Sequence, residues 1–169
     1  NHCEDGLNTI RCHVNLDHCV VEKTLSDGYD ADFCTGMVRN STFTNTGNDC
    51  IDFSGSEITI AKCKIQNAGD KGISGGEGSH LLVDNCSISK ANIAIASKDN
   101  SEVTVRNITI SNVGTKTLPN VDITVNGDVS LTNGVLNSSS FNRDIYIKGD
   151  WSNTASTAAF TPGTSIVYF

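Results

Sequence analysis

The chain has 169 residues, enough for one domain with a substantial core, and it carries a formal net charge of −7, with 37% apolar and 6% aromatic residues. That acidic balance excludes the basic stripe with which a nucleic-acid binder neutralises phosphates, and it disfavours adhesion to an anionic membrane. No apolar run approaches the roughly 18 residues of a spanning helix, and short Val/Ile/Thr runs broken by Gly, Asn, Asp and Ser predict an all-β fold.

From Leu7 onward, apolar positions recur about every 22 residues. Leu7, Tyr29, Ile51, Ile73 and Ile95 form one column, and Val21, Phe43, Ile65, Ile88 and Ile110 a second. A third holds Cys19, Ser41, Cys63, Cys86 and Ile108. A looser fourth joins Val14/Leu16, Val38, Ile58/Ile60, Leu81/Val83 and Val103/Val105. A period in the twenties with about three short strands per repeat is the signature of a solenoid. The core is then a set of ladders whose rungs lie about 4.8 Å apart along the axis, as in a parallel β-helix. Glycine and asparagine fall at matching corners, among them Gly47 and Gly69, and Asn85 and Asn107.

The register predicts residues 1–113 as about five coils and 114–120 as a connector, where GTKTLPN is poor in apolar residues. Residues 121–169 are expected to be further coils continuing the same stack. Asp122–Ser130 and Asp144–Ser152 restore the period, pairing Ile123 with Ile145, Val125 with Ile147 and Val129 with Trp151. A small separate sandwich is the alternative for this part. Neither end carries an amphipathic capping helix, so the chain is expected to be a section of a longer protein or a unit that stacks end to end.

The chemistry concentrates in acids. Asp27 and Asp49 share a column that Asp5 begins and Lys71 continues, while Asp30 and Asp52 share another. Carboxylates stacked about 5 Å apart repel, so one must raise its pKa or a cation must sit between them; Asp27, Asp30, Asp49 and Asp52 are therefore candidate Ca²⁺ ligands. With Lys71 as base and a cation lowering the pKa of the α-proton, a site of Asp30, Asp49, Asp52 and Lys71 suits β-elimination on a uronic-acid polysaccharide, with Lys71, Asp49 and Asp52 as the candidate catalytic residues. The competing reading makes the same acids turn caps and a neutralising surface ladder. An Asp52–Glu77 carboxyl pair for glycoside hydrolysis is a weaker option. No TxT column recurs to suggest ice binding, and the sequons at Asn40, Asn85, Asn107 and Asn137 follow from an Asn/Ser/Thr-rich composition.

Seven cysteines, an odd number, match no zinc spacing. Cys19, Cys63 and Cys86 belong to the inward ladder with Ile51, Ile73, Ile95, Ile65, Ile88 and Ile110, where a thiol acts as a small hydrophobe. Cys12 and Cys34, one repeat apart, are the best disulfide candidates, while Cys3 and Cys50 stay unassigned.

The runs SDGYDADF (26–33), NTGNDCIDFSGS (45–56), NAGDKGISGGEGS (67–79) and ANIAIASKDNSEVTV (91–105) resemble right-handed parallel β-helix repeat proteins of the pectate-lyase-like superfamily, of the secreted or cell-surface bacterial type. The section from Asp122 to Phe169 resembles coils of bacterial surface adhesins. The resemblance implies a right-handed parallel β-helix and an extracellular or cell-surface location. The functional expectation is a structural or adhesive solenoid module of a larger surface protein or filament, contacting saccharide or cations and self-associating end to end. The alternative is a polysaccharide lyase or other carbohydrate-active enzyme acting on acidic glycans.

Overall fold

The computed structural model describes residues 3–117, 123–125, 127–138, 143–155 and 159–169. Every strand pairing among them is parallel, and three sheets run side by side along one axis. The first sheet stacks Leu7–Ile10, Tyr29–Asp32, Ile51–Ser54, Lys71–Gly76 and Ile93–Ser97. The second stacks His13–Asp17, Thr35–Arg39, Glu57–Ala61, His80–Asp84, Glu102–Arg106, Ile123–Val125, Ile145–Ile147 and Val167–Tyr168. The third stacks Val20–Glu22, Thr42–Thr46, Lys64–Ala68, Ser87–Ser89, Ile108–Thr117, Val129–Asn137 and Trp151–Asn153, with Phe160–Thr161 added beside Val129–Asn137.

The sequence columns are the pairing register itself. Tyr29 pairs with Leu7 and Ile51, and Ile73 with Ile51 and Ile95. Phe43 pairs with Val21 and Ile65, and Ile88 with Ile65 and Ile110. Side chains alternate about the pleat, so each such column faces inward, and Ile51, Ile65, Ile73 and Ile88 are fully buried. Ile95 and Ile110 are partly buried and pack against that core. Cys63 and Cys86 are buried, whereas Cys19, on the first coil, is half-buried.

Past the fifth coil the cross-section changes. Val105 pairs with Val125 and Ile108 with Val129, so the second and third sheets run on, while the first ends at Ile93–Ser97 among the described residues. The third-sheet strand lengthens instead, reaching Thr117 and pairing Thr115–Thr117 with Val135–Asn137. Gly114–Thr117 of the expected connector is thus strand, and the remainder of that segment lies outside the described residues. A second apolar cluster, Val125, Leu131, Leu136, Ile145 and Ile147, fills this part.

Each corner of the coil is made by a residue in the left-handed conformation, joined by a second one, Glu77 or Asp99, at two of them. Arg11, Phe33, Gly55, Gly78 and Asn100 turn from the first sheet to the second, and His18, Asn40, Lys62, Asn85 and Asn107 from the second to the third. Lys23, Asn45, Asn67 and Lys90 make the third corner, and all of these φ values lie between 48° and 74°. This conformation is unfavourable for L-residues other than Gly and, to a lesser degree, Asn and Asp, so the stack must impose it elsewhere. Phe33 lays its ring over Gly55, where an added Cβ would lie 2.6 Å from the ring.

The residue after the turn is most often Cys, Ser or Thr, with Ala68, Ala91 and Ile108 as exceptions, and it builds a second kind of ladder. Cys34 N–H donates to Ser56 Oγ at 2.9 Å, Ser56 N–H to Ser79 Oγ at 3.0 Å, and Ser79 N–H to Ser101 Oγ at 3.0 Å. At the next corner Cys19 N–H donates to Ser41 Oγ at 3.1 Å and Cys63 N–H to Cys86 Sγ at 3.4 Å. The hydroxyl or thiol hydrogen in turn reaches a carbonyl two or three residues back, as in Ser56 to Ser54 O at 3.0 Å, Ser79 to Gly76 O at 2.7 Å and Cys86 to Asp84 O at 3.4 Å. Serine and cysteine are interchangeable here because both offer one donor and one acceptor.

Candidate functional site

The acidic columns occupy two different places. Asp5, Asp27 and Asp49 stand at the corner that enters the first sheet, and each accepts a backbone N–H from the next coil: Asp27 N to Asp5 Oδ1 at 3.1 Å, Asp49 N to Asp27 Oδ1 at 2.8 Å, and Lys71 N to Asp49 Oδ1 at 2.9 Å. Asp128 and Asp144 do the same for Asp150 and Ile166 further along. Asp49 is 1% exposed, and burial pushes its carboxyl and that of Asp27 up, against the pull of these hydrogen bonds.

Lys71 Nζ closes the row, 3.4 Å from Asp49 Oδ1 and 2.6 Å from Asp70 Oδ2. Burial draws the Lys71 pKa down, but the hydrogen bond to Asp70 and the charges of Asp49 and Asp70 outweigh it, and the net shift is upward. A general base must be able to shed its proton near the working pH. Lys71 is held in the charged form.

Asp30 and Asp52 pair across the outer face of the first sheet, with Ser74 next in line. Asn8 Nδ2 donates to Asp30 Oδ2 at 2.7 Å. Burial first, then the neighbouring charges of Asp32, Asp52, Asp27 and Asp5, push the Asp30 carboxyl up to about 6. Asp52 Oδ1 and Ser74 Oγ are covered and have no hydrogen-bond partner. The four expected calcium ligands therefore split into two rows, Asp27 with Asp49 and Asp30 with Asp52. Among the described residues no three His, Cys, Asp or Glu side chains converge to hold a metal ion. Glu77, the other weighed carboxyl, sits in the left-handed conformation at the corner that follows Lys71–Gly76, the strand paired with that of Asp52.

The cysteines are separate thiols. Cys12 and Cys34, expected as a disulfide, occupy successive rungs of a corner ladder: Cys12 N–H meets Cys34 Sγ at 3.4 Å, Cys12 Sγ donates to Ile10 O, and Cys34 Sγ lies within reach of Asp32 O and Thr9 O. The hydrogen bond with Cys63, together with burial, pushes the Cys86 thiol up, and burial does the same to Cys50. A buried thiol kept protonated is a poor nucleophile.

A different surface combines a cleft with side chains suited to a ligand, and sequence reasoning missed it. On the outer face of the second sheet one column reads His13, Thr35, Glu57, His80, Glu102 and the next reads Asn15, Met37, Thr59, Leu82, Thr104. Between them lies a cleft of about 430 Å³, spanning the coils of Thr35, Glu57, His80 and Glu102. His13 Nδ1 is 3.0 Å from Thr35 Oγ1, and His80 Nδ1 is 3.8 Å from Glu102 Oε2. A third column, Asp17–Arg39 then Ala61, Asp84 and Arg106, forms the far side of the face.

The middle column continues past the fifth coil. Val125 pairs with Val105, so Thr124 follows Thr104, and Tyr146 and Tyr168 follow in turn. The two tyrosine rings stack with centroids 4.7 Å apart and planes 5° apart, and they remain 38% and 41% exposed. The signal was in the sequence: Tyr146 and Tyr168 stand one period apart, as do His80 and Glu102. It is found by applying the 22-residue register to the outward residues as well as to the inward ones.

Comparison with protein families agrees with this architecture. A model described as a right handed beta helix region matches residues 5–160, nearly the whole chain, and the protein belongs to that family. No match was found among curated proteins or among solved structures. Among the described residues no helix is long and apolar enough to cross a membrane.

Proposed function

We propose that this right-handed β-helix serves an extracellular or cell-surface protein as a structural module that holds an extended polysaccharide along the outer face of its second sheet. The observation that carries the reading is the continuous column from Met37 through Thr59, Leu82, Thr104 and Thr124 to the stacked pair Tyr146 and Tyr168. The aliphatic side chains of Met37 and Leu82 and the exposed edges of the stacked tyrosines give a sugar ring an apolar surface, and the tyrosine hydroxyls, the threonines and the flanking polar columns supply hydrogen bonds. The coil repeat of about 4.8 Å sets these groups out along a line, as a polymer of sugars requires. The resemblance to secreted and surface repeat proteins supports the location. A lyase centred on Lys71 is the less favoured reading, because Asp49 and Asp70 hold that amine charged.

Calorimetric titration with neutral, anionic and cationic oligosaccharides tests the reading. Replacing both tyrosines by threonine, the residue already present elsewhere in the column, should weaken the best ligand by about 5- to 100-fold while the circular dichroism stays that of the parent. Absence of binding to any glycan class, or binding indifferent to Y146T/Y168T, would overturn it.

A further inference from the structure

We infer that the polysaccharide held on this face carries positive charge, as a β-1,4-linked polymer of amino sugars with free ammonium groups does. The inference rests on the saccharide-binding reading and adds the chemical class of the ligand. Glu57 and Glu102 stand in one outward column on either side of His80, all three exposed and all three lining the cleft. No Lys or Arg lines the cleft. The cations of this face, Arg39 and Arg106, belong to the far column, where Asp17 and Asp84 are their cross-strand neighbours. The two carboxylates of the cleft face no basic group there but the His80 imidazole, 3.8 Å from Glu102, on a chain whose formal net charge is −7. A polyuronate laid here would bring carboxylates against Glu57 and Glu102, which electrostatic complementarity disfavours.

Spacing supplies the second argument. Two coils separate Glu57 from Glu102, about 10 Å along the axis. In an extended β-1,4-linked chain successive sugars are turned over, so a given ring substituent returns to the same edge at every second sugar, a repeat close to two coils. An ammonium group on alternate sugars then meets Glu57 and Glu102, while the intervening sugar presents its opposite edge to His80. Carboxylate–ammonium hydrogen bonds are charge-assisted and stronger than those to a neutral amide. An acetylated polymer loses them while keeping its apolar ring faces for the Met37, Leu82 and tyrosine column.

The test is titration of the full chain with a glucosamine hexamer, an N-acetylglucosamine hexamer and a galacturonate hexamer at low salt. The glucosamine hexamer is expected to bind about tenfold more tightly than its acetylated form, and the galacturonate hexamer least. E57Q/E102Q should remove that preference and leave the acetylated hexamer unaffected. E4Q/E22Q, which removes the same charge from exposed sites off the face, should leave the preference intact. Equal binding of the two hexosamine ligands, or an equal loss in the E4Q/E22Q control, overturns the inference while the saccharide-binding reading stands. Failure of all three hexamers to bind overturns both. Tightest binding by the galacturonate hexamer overturns the inference alone.

Discussion

Substitutions at Cys86 separate a hydrogen-bonded rung from simple hydrophobic filling. Cys86 is 2% exposed, accepts the Cys63 N–H at 3.4 Å, and has Asp84 O at 3.4 Å as a partner for its own hydrogen. Alanine removes the acceptor and leaves a buried N–H unsatisfied, a loss of about 1–3 kcal/mol. The vanished sulfur leaves a void that adds about 1 kcal/mol. C86A should therefore destabilise by about 2–4 kcal/mol, which for a chain of this length lowers Tm by about 4–16 °C. Serine restores both partners in the geometry already used by Ser41, Ser56 and Ser79, so C86S should stay within about 1 kcal/mol of the parent. Thermal and urea unfolding followed by circular dichroism gives the totals, and amide hydrogen exchange at Cys63 reads the rung itself, since a solenoid can open locally. If C86S proves as damaging as C86A, sulfur packing is what matters at this corner and the ladder argument fails. A Tm that is unchanged by reductant is expected, because the thiols stabilise without cross-linking.

Lys71→Ala should cost about 2–4 kcal/mol at pH 7, because Asp49 stays buried with only backbone compensation. That deficit should shrink as the pH falls and Asp49 takes up a proton; a loss independent of pH points to side-chain packing instead. At Asp30 the folded-state value of about 6 stands above the ordinary 3.8, so the folded state holds the extra proton. The contribution of Asp30 to stability should then be greatest below about pH 4 and decline as the pH rises through about 6. Asp30→Asn should lack this slope and be the more stable protein at pH 7, with the advantage gone by pH 4. Parallel declines in parent and variant Tm across that range would place the titrating group elsewhere. Loss of saccharide affinity in Y146T/Y168T and loss of ammonium preference in E57Q/E102Q complete the set.

The inward half of this protein was legible as text. A parallel coil stacks like on like, so Ile51, Ile73 and Ile95 had to recur at the period of the coil, and the period alone identified the core, the three strands per repeat and the β-helix. The corners were half legible. Gly and Asn marked them, but no local rule places Phe33, Lys62 or His18 in a left-handed conformation; the neighbouring coils impose it. Cysteine misled for a related reason. Its text is compatible with a disulfide or a buried hydrophobe, and only the stacked geometry shows Cys12, Cys34, Cys63 and Cys86 standing in for serine as hydrogen-bond rungs. The acids were found at once because charge is conspicuous, yet their meaning depended on where the corner lies. Asp27 and Asp49 turn toward backbone amides of the next coil, which a column of letters does not distinguish from turning toward a cation. The outward columns remained unread because their members differ in type: Glu57, His80 and Glu102 share no chemistry until one sheet sets them side by side, and Tyr146 joins Thr104 only once the second sheet is seen to run on past the fifth coil. Burial constrains the inward residues to one chemistry and so writes a repeat into the sequence, whereas solvent leaves the outward residues free, and their common face exists only in three dimensions.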